Sequence, residues 1–521
     1  MSQSASTIVT ASSTVTLDQI LSGFDAITDA TLVPESLVIT GMTLNSQAVK
    51  PGFAYVALQG TKAHGLDYLD DAVARGASVV LLDRATTRDL SAVSLPVVKI
   101  PDLAESLGAL ASAFYHDPSR HLSVCGVTGT DGKTSVAQFI AQALTSMGIR
   151  TGYIGTIGWG VGDSLLPNPL TTPDAITLQS MMASMKASGV SHVVLEVSSH
   201  ALVQGRVNGV VFDVAVLTNL GRDHLDYHGT AENYAQAKQK LFVWPGLSGA
   251  VLNHNDRFGQ TLASMINPEV PLLRYSGHAG TDRDDVSLSV SDVSYTDDGM
   301  RFVLHDANQR WVVNSSLIGQ FNIDNLLATY GALRTFGISA PDAAIALDKV
   351  RAVPGRMERF AVSGRASVVV DYSHTPQALQ AALTSLRTHC SGRLWVVFGC
   401  GGDRDSGKRP LMGDIAVTHA DHVIVTDDNP RTEASDDIIR DILAGMDASQ
   451  PAMHEPHVIA DRGKAIDYAL ENAVAGDWVL IAGKGHEDYQ IVGRERLVFS
   501  DRATVCRAYG LDAPLAAGDA S

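Results

Sequence analysis

The stretch "VCGVTGTDGKTS", residues 124–135, carries residue types that grip phosphate: Gly129 and Gly132, then Lys133 and Thr134. Backbone N–H groups of such a turn, and of a helix starting behind it, face an anion. A lysine there neutralises β/γ-phosphate charge, and the threonine hydroxyl is placed to bind Mg2+. The strict P-loop pattern wants a glycine five positions before the Gly-Lys pair, and Val127 stands there instead. Two readings remain: a phosphate loop of another kind, or a glycine-rich turn with no ligand.

Phosphate transfer also needs a metal carboxylate. Glu196, in "HVVLEVSSH", falls at the end of a strand-like run, placed to hold Mg2+ directly or through water. His224 and His228, in "TNLGRDHLDYHG", have the i, i+4 spacing of a helical zinc pair. Gly229 weakens that helix and no third ligand lies nearby, so a single His224 near Mg2+ and phosphate is the better reading. "GCGGDR" at 399–404 tempts a dinucleotide reading but fails G-x-G-x-x-G, because position 404 is Arg.

The elements that must position these residues are legible as runs. "LSVCGVTG" is an apolar strand ending in glycine. Behind the loop, Val136, Phe139, Ile140, Ala143, Leu144 and Met147 recur at helical spacing, and Gly148 reads as the stop. "FAYVAL", "ASVVLLD", "HVVLEVSS" and "FDVAVLTNL" read as strands, as do "ASVVVDYSH", "RLWVVFGCGG", "ADHVIVTDDNP" and "DWVLIAGKGHE" further on. In open α/β sheets ligands bind at the carboxyl ends of strands, and the polar residues cluster at those ends. Joints are expected near Asp117-Pro118 and Val353-Pro354-Gly355, giving three α/β domains over 1–117, 118–353 and 354–521.

At 521 residues the chain is long enough for about three or four domains. A formal charge of −17 argues against a nucleic-acid partner, because such binding needs a basic face. No stretch reaches the roughly 18 uncharged apolar residues of a membrane span. The first basic residue is Lys50, unlike a signal peptide. Four scattered cysteines form no CxxC pair, so the expected home is a reducing cytoplasm. "LDAPLAAGDAS" reads as a soft tail.

Together these segments resemble the Mur ligases, ATP-dependent amide-forming enzymes of peptidoglycan assembly. Their loop reads "TGT-x-GKT/S", without the first glycine, and is similar to Thr128–Ser135 here, with Asp131 where the family usually has Asn. "TTPD", "EVSSHALVQGRV", "NLGRDHLDYHG", "YAQAKQKLF", "GQFNIDN", "PGRME", "DYSHTPQAL", "GCGGDRDSGKRP", "DDNPRTE" and "GKGHEDYQ" come in the family's order. Among its members the chain is most similar to those that add the third residue of the stem peptide.

The resemblance implies three domains: an N-terminal α/β nucleotide-sugar domain, a central P-loop ATPase-type parallel sheet and a C-terminal Rossmann-like α/β domain. ATP is expected against Gly129, Thr130, Asp131, Gly132, Lys133, Thr134 and Ser135, with Asn322, Asn325, Arg356, Asp371 and His374. Lys238 matches a lysine that CO2 converts to a carbamate (N6-carboxylysine), a further metal ligand beside Thr134, Glu196 and His224. Catalysis would fall to Lys133, Glu196, His224 and Lys238.

UDP-MurNAc-L-Ala-D-Glu is expected against Ser46, His64, Thr171, Thr172, Ser198, Gln204 and Arg206, with Asn45 and Gln47 replacing the usual Asp and Arg beside Ser46. "DNPR" (Asp428, Asn429, Pro430, Arg431) marks members that take meso-diaminopimelate. Its extra carboxylate suits a guanidinium fork, and Arg409, Gly483 and Glu487 match the rest of that pocket. The implied reaction joins diaminopimelate to the D-Glu γ-carboxylate through an acyl phosphate, with ATP becoming ADP and phosphate, in a monomeric enzyme. The rivals are addition of L-lysine by the same machinery and, more remotely, a P-loop ATPase switch or binding module that forms no bond.

Overall fold

The computed structural model describes residues 13–28, 36–60, 63–88, 90, 93–281, 286–446 and 455–512. The expected soft tail lies outside them beyond Asp512. The described chain forms two compact units, one within Met1–Arg274 plus Gly331–Ile338, the other within Tyr275–Tyr330 plus Ser339–Ser521.

The first unit holds two sheets. The N-terminal one runs Ile27–Thr28, Val97–Ile100, Val79–Asp83, Phe53–Ala57, Gly41–Thr43; its edge pair Ile27–Thr28/Val97–Ile100 is antiparallel and the rest parallel. Val79 through Leu82 are buried on both faces, as a parallel strand between two layers must be. The helix Leu103–Phe114 covers one face through Leu103, Leu107, Leu110, Ala111 and Phe114. Ala175 and Ile176, from the helix Ala175–Ala187 of the central segment, complete that core.

A tight seam joins the two segments. A Cβ at Gly108 would sit 1.8 Å from the Asn208 carbonyl oxygen, so only glycine admits this approach. The Asn208 side chain fastens it, donating to the Glu105 carbonyl and carboxylate at 3.0 Å each. The Val211 N–H donates to Ser119 Oγ at 3.1 Å.

The second sheet of this unit has the parallel order Thr151–Gly155, His192–Glu196, Ser123–Thr128, Val214–Leu217, Gly249–Asn253. Val127 is fully buried in the middle strand, opposite Glu196 on one side and Val216 on the other. Position 127 is therefore strand core, and the loop proper begins at Gly129. The helix Lys133–Ser146 comes next and buries Val136, Phe139, Ile140, Ala143 and Leu144, the periodic positions read from sequence; Met147 is its C-cap and Gly148 turns the chain away with φ +81°.

In the second unit, Leu288–Thr296, Gly299–Asp306 and Gln309–Ser315 form an antiparallel meander. A six-stranded sheet runs Glu358–Phe360, Ser367–Asp371, Trp478–Ala482, Leu394–Phe398, His422–Val425, His457–Val458, parallel except at its first pair. Separate apolar cores lie on its two faces, one built around Leu383, Phe398 and Met412, the other around Ile466, Ile481 and Val505. All nine apolar runs read from sequence contain a strand. Among the described residues no helix is long and apolar enough to cross a membrane.

Candidate active site

Glycine makes the loop possible at two points. Gly129 has φ +154°, and a Cβ there would lie 1.8 Å from Thr218 Oγ1. Gly132, at φ 80°, is the left-handed residue from which the helix starts. The strand Val214–Leu217 ends beside the loop, and Thr218 and Asn219 brace it. Thr130 N–H donates to the Asn219 carbonyl at 2.9 Å, Asp131 N–H to Asn219 Oδ1 at 3.0 Å, and Thr218 Oγ1 to the Asp131 carbonyl at 2.6 Å. Position 131 is thus held through its backbone, and its exposed side chain takes no part in the brace. Lys133 folds back, donating to the carbonyls of Gly129 at 2.9 Å and Thr130 at 2.8 Å.

Glu196 is fully buried where its strand ends. Thr134 Oγ1 donates to its Oε2 at 2.9 Å, Thr156 N–H to Oε1 at 2.9 Å and Thr156 Oγ1 to Oε2 at 3.1 Å, and the Tyr153 hydroxyl bonds Oε1. Thr171 meets Thr156 Oγ1 at 3.0 Å, and Thr172 Oγ1 donates to the Glu196 carbonyl at 2.7 Å. Ser198 N–H donates to Thr172 Oγ1 at 3.0 Å; Arg206 reaches the Thr172 carbonyl at 2.9 Å and Gln204 Oε1 at 2.6 Å. Thr134, Glu196, Thr171, Thr172, Ser198, Gln204 and Arg206, drawn from three stretches of sequence, form one connected hydrogen-bond network.

Lys238 is 1 % exposed. Its Nζ donates to the Gly129 carbonyl at 2.7 Å and lies 4.5 Å from the centre of the Tyr234 ring. Burial, and then the nearby Lys133 charge, hold its amine well below the usual lysine range. Tyr234 is the hub that sequence reading left unassigned: its hydroxyl meets Thr130 Oγ1 at 3.1 Å, and its ring packs 5.2 Å from His228 and 6.2 Å from His224. Burial pushes its own hydroxyl up to about 12.

The histidine pair is not a helical zinc face. The helix Leu225–His228 is a single turn, and His224 caps it in the left-handed region with φ 52°. His224 pairs with Asp223 at 3.2 Å and packs edge-on to His200; it makes no hydrogen bond to Thr134, Glu196 or Lys238. His228 is buried on Ser199 Oγ at 3.0 Å. Among the described residues no group of three His, Cys, Asp or Glu side chains is arranged to hold a metal ion. Hydroxyl and carboxylate oxygen at 2.9 Å, as in Thr134 and Glu196, suit a hard cation that keeps most of its waters, such as Mg2+.

In the N-terminal sheet a pocket of about 610 Å³ is lined by Asn45, Ser46, Gln47, Tyr55, Gln59 and Tyr68, among others. Asn45 Oδ1 accepts from the Gln47 N–H at 3.0 Å, a capping bond that Asn and Asp make equally well. His64 also caps, its Nδ1 accepting from the Leu66 N–H at 3.0 Å.

The second unit gathers its polar residues at strand ends. Asp371 is buried, accepting from the N–H groups of Met357 at 2.7 Å and Ser373 at 2.9 Å. Arg356 lies over the Tyr372 ring at 4.3 Å, and Lys408 Nζ donates to the His374 carbonyl at 2.7 Å. Burial pulls His374 below the usual histidine range, and burial with Arg356 and Arg502 pulls His486 to about 4. Arg356 Nε and His486 Nδ1 are buried with no hydrogen-bond partner. Asn325 Nδ2 donates to Asn322 Oδ1 at 2.8 Å, and Asn322 Nδ2 to the Ile318 carbonyl at 2.8 Å.

"DNPR" folds against "GCGG". Arg431 (φ 54°) donates to the Gly402 carbonyl at 2.8 Å. A Cβ at Gly401 would lie 2.8 Å from its Nη1, and one at Gly402 1.9 Å from the Pro430 carbonyl oxygen. Those glycines make room for the arginine segment. Arg409 is turned inward: its fork is filled by Glu433 at 2.6 and 2.7 Å and by Asp441 at 2.9 Å. Asn429 Nδ2 donates to Glu487 Oε2 at 3.0 Å, and Gly483 (φ 118°) passes beside Asp428.

Three family models match the chain: "Mur ligase family, catalytic domain" over residues 38–115, "Mur ligase middle domain" over 127–333 and "Mur ligase, glutamate ligase domain" over 355–485. The chain is 46 % identical over 486 residues, 91 % of its length and 95 % of the relative's, to a UDP-N-acetylmuramoyl-L-alanyl-D-glutamate--2,6-diaminopimelate ligase of Alkalilimnicola ehrlichii. It is 45 % identical over 471 residues (90 % and 94 %) to the enzyme of the same name from Xanthomonas campestris pv. campestris. A solved structure titled with that enzyme name superposes with a TM-score of 0.69 at 35 % identity, covering 95 % of this chain and 99 % of the other. Similarity that runs through almost all of both chains settles membership: this protein belongs to the Mur ligase family.

Proposed function

We propose that the protein is an ATP-dependent acid–amino-acid ligase that joins meso-2,6-diaminopimelate to the D-Glu γ-carboxylate of UDP-N-acetylmuramoyl-L-alanyl-D-glutamate, in the cytoplasm, as a step of peptidoglycan precursor synthesis. The observation that carries the reading is 46 % identity over 91 % of the chain to a ligase of that name. The geometry agrees with it at both ends. One unit has a glycine loop beside a buried hydroxyl–carboxylate pair, and the other brings Arg431, Asn429 and Glu487 together, with donors and acceptors that suit a zwitterion.

In the first step the γ-carboxylate attacks the γ-phosphoryl group of ATP; ADP leaves and an acyl phosphate forms. The diaminopimelate amine then attacks the acyl carbon, and the tetrahedral intermediate collapses to the amide with loss of phosphate and a proton. Two anions meet in the first step, so fixed positive charge and aimed N–H dipoles do most of the work. Lys133, now folded onto its own loop carbonyls, would be drawn out by the incoming phosphates, and the loop N–H groups would take the remaining oxygens. Thr134 and Glu196 would hold Mg2+, which supplies charge neutralisation at the phosphates. Tyr153 and Thr156 fix the Glu196 carboxylate for that task.

Lys238 fits the carbamate role. Its amine is buried and desolvated, and addition of CO2 with loss of a proton would turn it into an anion facing Lys133. Asn322, Asn325, Arg356, Asp371 and His374 are assigned to the nucleotide, and the unpartnered Arg356 Nε supports an anionic ligand there. Ser46 and His64 belong to the nucleotide-sugar, with Thr171, Thr172, Ser198, Gln204 and Arg206 on its peptide.

The test is phosphate release with ATP, the nucleotide-sugar dipeptide and a panel of amino acids. Turnover is expected with meso-diaminopimelate and not with L-lysine. Turnover with lysine alone would make the protein a lysine-adding member of the family, and hydrolysis indifferent to the nucleotide-sugar would make it an ATPase.

A further inference from the structure

The second unit buries a lysine that has no task in the ligase chemistry so far. Lys484 stands just past the strand Trp478–Ala482 and is 0 % exposed. Flanking glycines turn it inward: Gly483 has φ 118° and Gly485 φ 53°. Its Nζ donates to Asn429 Oδ1 at 3.1 Å and Glu487 Oε2 at 3.0 Å, and stands 3.6 Å from Asp428 Oδ1. That Asp428 oxygen is buried without any hydrogen bond, so the ammonium is its electrostatic partner. Asn429 closes the ring by donating from Nδ2 to the same Glu487 oxygen at 3.0 Å. The Ile491 N–H, 2.9 Å from Asn429 Oδ1, fixes which way that amide faces.

We infer that Lys484 is a positioning residue for amino-acid specificity, holding Asn429 and Glu487 in register for the charged far end of the incoming amino acid. The inference rests on the proposed ligase function. Two carboxylates and one ammonium leave this corner one negative charge. That charge matches the ammonium of a far amino-acid centre whose carboxylate goes to Arg431. Without Lys484 the two carboxylates repel each other, and Asn429 Oδ1 loses one of its two donors, keeping only the Ile491 N–H. Its partners are Asn429, Glu487 and Asp428, none of them assigned to ATP or to the reacting carboxylate, so its loss should be read in binding of one substrate.

The experiment compares wild type with Lys484→Met, Glu487→Gln and the double variant in the phosphate-release assay. The Michaelis constant for meso-diaminopimelate should rise on the order of 100-fold in Lys484→Met, the scale expected when one partner of a buried charge pair is removed. The constants for ATP and nucleotide-sugar, and kcat at saturating diaminopimelate, should move by less than about threefold. The double variant should lose clearly less than the product of the two single losses, because much of the lysine's effect runs through that carboxylate. Unchanged diaminopimelate affinity in Lys484→Met, or additive losses in the double variant, overturns the inference alone. A wild type without diaminopimelate-dependent turnover overturns the ligase reading and this inference with it. Failure of both Lys484 variants to fold overturns it as well, since the lysine would then serve the fold.

Discussion

The loop site of the first unit and the proposed amino-acid site of the second are built on opposite plans. Both lie at the carboxyl ends of parallel strands, where backbone groups and strand-end side chains converge. The loop is made of backbone: Gly129, Gly132 and the helix start at Lys133 create the anion seat, and neighbours brace it through carbonyls and N–H groups. The pocket is made of side-chain charges that neutralise one another, Lys484 with Glu487 and Asp428, and Arg409 with Glu433 and Asp441. A backbone site tolerates side-chain variation, as Asp131 illustrates. A charge-network site does not, because removing Lys484 leaves largely buried carboxylates unpaired, and removing Glu433 takes a partner from the buried Arg409.

The contrast can be broken at its strongest point first. Lys133→Ala and Lys238→Ala should each lower kcat by roughly a thousandfold or more, as loss of charge aimed at a phosphoryl transition state does. Added bicarbonate should not restore Lys238→Ala, and wild type equilibrated with 13C-bicarbonate should show a carbamate carbon resonance that this variant lacks. Near-normal turnover of Lys238→Ala would end the carbamate assignment. Arg431→Ala should raise the Michaelis constant for diaminopimelate about 100-fold and leave that for ATP within about threefold; a loss confined to ATP would move Arg431 out of the pocket.

Gly129→Ala tests the backbone plan. A methyl group 1.8 Å from Thr218 Oγ1 must displace the loop, so stability should fall by about 2 kcal/mol in urea unfolding, with weaker ATP binding.

Glu433 tests the charge plan through pH. Hydrogen bonds from Arg409 hold its carboxyl down at about 2. A depressed folded-state value stabilises the fold fully above the ordinary carboxylate range and loses that stabilisation as pH falls through the folded value. Glu433→Gln should therefore unfold at lower urea than wild type near pH 7, by about 1–2 kcal/mol, and the gap should close as pH approaches 2. A gap unchanged at low pH would mean packing, not charge, is the cause. Smallest of all, Asp131→Asn should shift the Michaelis constant for ATP by less than about threefold, since the side chain is exposed and screened.

The same contrast explains what could be read before folding. The loop strand and its helix are legible because apolar periodicity and glycine have local causes; Val127 looks like a missing glycine only because the register that makes it strand core is not local. Glu196 is legible as a strand end, but its partners Tyr153 and Thr156 lie some forty residues away and carry no motif. Tyr234 sits within a recognised segment, yet its task depends on Thr130 and Lys238 converging on it. His224 and His228 mislead by spacing alone, since the helix that would align them lasts one turn. Lys484 is hidden between two glycines that draw the eye in its place. Arg409 carries the family's position, while the geometry that turns its fork onto Glu433 and Asp441 comes from a bend and a helix 24 and 32 residues away.

The seam at Gly108 has a mechanical consequence. With the Asn208 carbonyl pressed where a side chain would be, the N-terminal pocket around Ser46 and the loop at Gly129 are fixed jaws of one gauge. On the proposed assignment, a nucleotide-sugar seated in the first jaw would present its peptide end at a set distance, and the reacting carboxylate would be chosen by length. A muramoyl peptide one residue too short or too long would bind its uridine end normally and still leave its carboxylate off the mark.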